Sequence, residues 1–189
     1  GVVVDIPVSP HITPVSQPYR RVPLHLEQKV EEKLDELLRV GIIEVVNEPS
    51  RWVSPMVVVP KSDGSVRICI DMRQANKAII RETHPLPTLE EMWPQIAGGA
   101  VFSILDIKDA FYQLEVAESS RHITTFITKR GLFRYTRVIF GICNAPELFQ
   151  KTISRILAGC RGTLAYMDDI LVSGKTQKEH DENLKNTLD

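Results

Sequence analysis

The sequence predicts an α+β protein with antiparallel sheets and packed helices. Three pairs of β-branched runs are each joined by a short turn-forming segment, which is the signature of hairpins. Other segments repeat apolar residues every three or four positions, as amphipathic helices do. The two patterns do not alternate in the βαβ rhythm of a parallel sheet.

Residues 1–22 carry Pro7, Pro10, Pro14 and Pro18, and Pro23 follows. Proline fixes φ and lacks an N–H, so this segment is expected to be an extended leader rather than a packed element. Leu26, Val30, Leu34, Leu37 and Leu38 then mark a helix that Gly41 ends. A short strand is expected at Ile42–Val46. The runs Met56–Pro60 and Val66–Ile70 flank Lys61-Ser62-Asp63-Gly64-Ser65, and the Asp-Gly pair signals a hairpin. A helix is expected over 86–97, a buried strand at Val101–Ile107 and a short helix over 108–116. Ile123–Thr128 and Leu132–Ile139 form a second expected hairpin about Lys129-Arg130-Gly131. Asn144 is placed to cap a helix with Pro146 in its first turn, running to Ala158. Thr163–Tyr166 and Ile170–Ser173 make a third hairpin, and Thr176 caps a last helix.

Composition narrows the class. With 189 residues, 43% of them hydrophobic, the chain can bury one core or two small ones. No apolar run approaches the roughly 18 residues of a membrane helix, so no membrane role is expected. The three cysteines (Cys69, Cys143, Cys160) form no CxxC pair. They read as small buried hydrophobes in an intracellular, reducing setting. The chain begins at Gly1 without Met and ends inside a helical pattern, so it is expected to be a piece of a longer protein.

The net charge is only -1, but its distribution is uneven. Residues 51–81 hold six Lys/Arg against two acids, and residues 119–161 hold eight against one. Between them, residues 82–118 hold one Lys and seven acids. Such segregation can make a phosphate-attracting groove around a cation site, though it also arises by chance on solvated faces.

The adjacent Asp168 and Asp169 lie between apolar runs, and a turn there would bring both carboxylates to one region. Close carboxylates repel unless a cation neutralises them. Asp106, at the end of the strand from Val101, is the candidate third. Three converging carboxylates suit Mg²⁺, and two ions about 4 Å apart suit phosphoryl transfer. Taken alone, the Asp-Asp pair reads more readily as a solvated turn than as a metal site.

Five segments resemble the reverse transcriptases of gypsy-type LTR retrotransposons. Tyr166-Met167-Asp168-Asp169 is similar to the family's Y-x-D-D box. Leu105-Asp106-Ile107-Lys108-Asp109-Ala110-Phe111-Tyr112-Gln113 is similar to its first catalytic box. Pro60–Arg67 and Asp71–Lys77 are similar to its fingers boxes, and Phe140–Gln150 to the box before its palm helix. Their order and spacing agree over residues 20–189. Met72, Ala75 and Val138-Ile139 depart from the family's usual residues.

The resemblance implies a right-hand polymerase fold of fingers and partial palm. Residues 23–85 would be fingers, 86–115 palm with the first carboxylate, 116–142 a fingers/palm junction, and 143–189 a truncated palm with the YMDD hairpin. It implies an RNA-directed DNA polymerase adding a dNTP to a primer 3′-hydroxyl on an RNA or DNA template. Asp106, Asp168 and Asp169 would be catalytic and, with the Ile107 carbonyl, would ligate two Mg²⁺ ions, with Mn²⁺ as the alternative. Lys61 and Arg67 would contact the triphosphate, or be ordinary hairpin charges. Phe111 would bar a 2′-hydroxyl, or serve the core alone. Asp109, Ala110, Phe140 and Gly141 would line the nucleotide pocket. Asp71, Arg73 and Asn76 would lie near the template or brace the fingers, with an Asp71–Arg73 ion pair as the structural alternative.

Implied partners are the template, its primer, dNTP, and a thumb and ribonuclease H domain elsewhere in the parent chain. The implied location is intracellular, in a cytoplasmic particle or the nucleus. Without thumb and primer grip, this chain alone is expected to be weak or inactive. Two alternatives remain: a decayed or domesticated module that binds nucleic acid or protein, and another nucleotidyltransferase with a similar palm.

Overall fold

Leu26, Val30, Leu34 and Leu37 fall four, four and three positions apart, and all four are buried along one stripe of α1 (Leu24–Arg39). Gly41, at φ 71°, donates to the Leu38 carbonyl and Ile42 donates to that of Leu37. This Schellman closure needs a left-handed residue, which glycine supplies without strain. The computed structural model describes residues 2–81 and 88–189. They divide into two units, one of Gly1–Arg81 with Phe111–Ala145, the other of Glu82–Ala110 with Pro146–Asp189.

The first unit holds β1 (Val2–Val4), α1, β2 (Ile43–Val46), β3 (Ser54–Pro60), β4 (Val66–Ile70), β6 (Leu114–Val116), β7 (Phe126–Thr128) and β8 (Gly131–Tyr135). Its main sheet has the order β2-β8-β7-β3-β4. All neighbours are antiparallel except β3 and β7, which pair in parallel. Phe126, Phe133 and Tyr135 pack their rings in the core, and burial pushes the Tyr135 hydroxyl well above its usual pKa. Lys129 and Arg130, in the β7–β8 turn, reach Glu27, Glu31 and Asp35 on α1.

The second unit holds α2 (Leu89–Ile96), β5 (Val101–Asp106), α3 (Ala145–Ile156), β9 (Thr163–Tyr166), β10 (Asp169–Gly174) and α4 (Gln177–Leu188). Its sheet has the order β5-β10-β9, wholly antiparallel. Thr88 and Glu91 form a capping box at the start of α2. Thr176 caps α4, accepting from the Glu179 N–H at 3.2 Å.

Several expectations need correction. The leader is extended but packed: β1 pairs in parallel with β6, Ile6 is buried, and Val8 and Ser16 bridge to Ile79 and Val53. Prolines repeated this closely disfavour a helix, yet strand pairing remains open to the residues between them. The short helix over 108–116 is a 3₁₀ turn at Ala110–Gln113 followed by β6. Residues 123 and 124 belong to a 3₁₀ segment, not a strand. There the Thr124 and Thr125 hydroxyls bond the carbonyls of Arg121 and His122, a local alternative to ladder pairing. The strand from 132 ends at Tyr135.

Expected buried, β5 instead alternates, with Phe102 48% and Ile104 72% exposed, because α4 covers only one of its faces. The helix expected over 86–97 is α2, and residues 86–87 lie outside those described. The Asn144 amide is buried and makes no hydrogen bond among the described residues, so it does not cap α3. The cysteines are half-buried rather than buried.

Candidate active site

The β9–β10 hairpin closes on the pair Tyr166–Asp169, leaving Met167-Asp168 as a two-residue turn. Hairpins this tight need φ above zero at the first turn position, which glycine normally fills. Here Met167 takes it, at φ 55°. A side chain in that conformation costs on the order of 1 kcal/mol. The turn is held from α3 by Gln150, which is fully buried. Its Oε1 accepts the Met167 N–H at 2.9 Å, and its Nε2 donates to the Ala165 carbonyl at 2.9 Å and to Ser154 Oγ at 3.2 Å.

β10 pairs with β5 so that Asp169 faces Asp106 across the ladder. Register partners share a face, with Cα atoms about 5 Å apart. One step on, the Ile107 N–H donates to the Asp168 carbonyl at 2.8 Å, extending the ladder into the turn. Asp106, Asp168 and Asp169 are exposed. None has a cationic partner among the described residues.

The ladder sets Asp106 and Asp169 opposite each other, with Asp168 the neighbouring residue in the turn. Among the described residues, no three acidic, His or Cys side chains lie close enough to hold a metal ion. The donor chemistry nonetheless fits a hard divalent cation: carboxylate oxygens with no basic side chain competing for them. Asp109, at φ 52°, and buried Ala110 follow on the same chain segment.

The remaining expected residues lie in the first unit. The β3–β4 hairpin presents Lys61 and Arg67. Val59 is Arg67's register partner, and Lys61, two positions further, continues that face. Gly64 allows the turn, at φ 80°, and the Asp63 carboxylate, held below its usual pKa by Ser65, ties it. Arg67 lies 6.0 Å from the centroid of the Phe140 ring, and Phe111 meets that ring edge-on at 4.6 Å. Gly141, at φ 98°, follows Phe140 and backs onto Ile70 and Met72.

Asn76 is engaged with this loop. Its Nδ2 donates to the Gly141 carbonyl at 2.7 Å, and its Oδ1 accepts the Cys143 N–H at 3.0 Å. Asp71 and Arg73 form the ion pair offered as the structural alternative, with contacts of 2.8 and 2.6 Å, and Arg20 adds a third at 3.6 Å. Arg73 holds the Asp71 carboxyl down to about 2. The residues that depart from the family pattern (Met72, Ala75, Val138, Ile139) are all buried core residues. Sequence reasoning assigned no role to Gln150. A polar residue among Leu148, Phe149 and Ile153 on a buried helix face was the available signal.

Comparisons with known proteins bear on the family and the fold. The family described as reverse transcriptase (RNA-dependent DNA polymerase) matches residues 59–189. An uncharacterized Caenorhabditis elegans protein, K02A2.6, is 35% identical over 91% of the chain. The retrovirus-related Pol polyprotein of transposon 412 from Drosophila melanogaster is 33% identical over 90%. The Tf2-3 transposon polyprotein of Schizosaccharomyces pombe is 32% identical over 85%. The chain spans 14%, 14% and 12% of these three, about one seventh of each.

Among solved structures, a prototype foamy virus protease-reverse transcriptase superposes with a TM-score of 0.84 at 23% identity, covering 96% of this chain and 24% of that one. The foamy viral enzyme in complex with an RNA/DNA hybrid gives 0.83 at 23% identity, with the same coverage. At that identity the likeness establishes the α+β polymerase fold.

Proposed function

The chain belongs to the reverse transcriptase (RNA-dependent DNA polymerase) family, and from that premise we propose that it forms the fingers and part of the palm of a gypsy-type retrotransposon polymerase. The reaction is transfer of a deoxynucleotide to a primer 3′-hydroxyl, templated by RNA or DNA. The observation that carries this reading is the pairing of Asp169 with Asp106, next to a turn that holds Asp168.

Phosphoryl transfer asks a protein mainly for placement and for charge compensation. Asp106, Asp168, Asp169 and the Ile107 carbonyl supply hard oxygen ligands. Two Mg²⁺ ions held there, or Mn²⁺ in their place, would neutralise the phosphate charge and acidify the attacking hydroxyl. Lys61 and Arg67 are assigned to the triphosphate, where fixed cations stabilise developing charge. Phe111, whose ring is braced by Phe140, is assigned to exclude a 2′-hydroxyl. Asp109, Ala110, Phe140 and Gly141 are assigned to the nucleotide on the family resemblance, and the Asp71–Arg73 pair and Asn76 to bracing the fingers.

The foamy viral enzymes solved in complex with double-stranded DNA and with an RNA/DNA hybrid support a template–primer partner. The thumb, a ribonuclease H domain and an intracellular site of action are proposed on family grounds. No described helix is long and apolar enough to cross a membrane. The three intact carboxylates weigh against a decayed binding module.

The test is primer extension on an RNA template by the full-length protein and by Asp168→Asn. Loss of one metal-binding carboxylate is expected to lower the rate by at least about a hundredfold. Equal rates in both proteins would overturn the assignment.

A further inference from the structure

Gln150 is a long polar side chain with no solvent exposure to speak of, and besides a bond to Ser154 Oγ on its own helix its hydrogen-bonding goes to one place. Its amide reaches the backbone on both sides of Tyr166, donating to the Ala165 carbonyl and accepting from the Met167 N–H, each at 2.9 Å. Only one orientation of the amide does both. Rotated by half a turn, Nε2 would face an N–H and Oε1 a carbonyl, so the network fixes the assignment of oxygen and nitrogen. The residue it grips is Met167, whose left-handed φ of 55° is the strained point of the turn. Asp168 and Asp169 are the next two residues.

We propose that Gln150 is a positioning residue that clamps the Met167-Asp168 turn and thereby sets the carboxylates of Asp168 and Asp169 for cation binding. The proposal rests on the polymerase reading above. Gln150 touches neither nucleotide nor metal and acts through the turn alone. Its two bonds lie on either side of Tyr166, so they fix the twist of the hairpin end as well as its position. A turn released from the clamp is free to relax Met167 out of the left-handed region. That relaxation would rotate the Met167–Asp168 peptide and carry the Asp168 side chain with it.

The experiment compares the full-length protein with Gln150→Met and Gln150→Glu. Met has nearly the same shape and neither polar atom, while Glu keeps an acceptor for the Met167 N–H and loses the donor to Ala165. The first readout is hydrogen exchange at the Met167 amide, which needs no activity. It is expected to be slow in the parent and in Gln150→Glu, and about tenfold faster in Gln150→Met. The second is the Mg²⁺ concentration for half-maximal primer extension. It is expected to rise about fivefold in Gln150→Met and to stay near the parent value in Gln150→Glu, a split that mere loss of stability would not give.

Fast exchange at Met167 in the parent overturns the proposal whether or not either variant folds. Unchanged exchange in Gln150→Met, or an unchanged Mg²⁺ requirement with the amide released, overturns it as well. If the parent extends no primer at all, the polymerase reading fails, and the exchange data still decide whether Gln150 holds the turn.

Discussion

Asp71 shows how a single residue's charge state reports its neighbour. The Arg73 guanidinium donates two hydrogen bonds to it and holds its pKa at about 2, against an ordinary value of 3.8. A carboxylate with a lowered folded pKa contributes stability above its unfolded pKa and loses it as pH falls towards the folded one. The window of loss is therefore roughly pH 4 down to 2, and at neutral pH the contribution is fully present and does not vary with pH. Arg73→Leu is expected to return the Asp71 pKa towards 3.8, read by NMR titration of its carboxyl carbon. An unmoved value would mean that Arg20 supplies the effect. Gly141 makes a steric case at the same scale. At φ 98° any side chain there is strained, and its Cβ would meet the Ile70 carbonyl at 3.6 Å. Gly141→Ala is expected to cost about 1–2 kcal/mol of stability, measured by denaturant unfolding.

At the scale of elements, one helix organises the first unit. α1 buries Leu34 completely, and its outer face carries the acids that hold the β7–β8 turn. Lys29 on the same helix donates to the Gly64 carbonyl at 2.6 Å, at the tip of the β3–β4 hairpin that carries Lys61 and Arg67. The helix therefore meets both hairpins. Leu34→Ala is expected to cost about 2–5 kcal/mol in unfolding experiments, through lost burial and the cavity left behind. Arg130→Ala removes exposed ion pairs and a 5.8 Å contact with the Phe133 ring, so a loss of about 1 kcal/mol is expected.

For the whole molecule, charge tallies along the chain overstate what is available to nucleic acid. Four of the cations in the basic block at 119–161 are spent within the first unit: Arg121 on Glu44 and Glu115, Arg134 on Glu44, and Lys129 and Arg130 on α1. Each neutralised phosphate adds about 0.9 to the slope of log affinity against log salt for duplex DNA. Arg130→Ala should therefore leave the slope for binding of the full-length protein to a primed template unchanged. A slope reduced by about 1 would show that Arg130 contacts a phosphate after all.

The order of helices and hairpins was legible in the sequence. Hydrophobic period and turn chemistry are local signals, and the Asp63-Gly64 turn, the Thr176 cap and the α1 stripe all act within a few residues of themselves. So were the three carboxylates, because Tyr166–Asp169 and Leu105–Gln113 are contiguous boxes. Register was not legible. That Asp169 faces Asp106 depends on pairing between strands more than 60 positions apart. That β1 is packed, and that β5 is open on one face, depends on what the rest of the fold lays against them. Gln150 is the sharpest instance. Alone it is one polar residue in an amphipathic helix, and only tertiary packing sets its amide between Ala165 and Met167. A side chain's chemistry is written at its own position, but its partners are chosen by long-range packing, which no local pattern encodes.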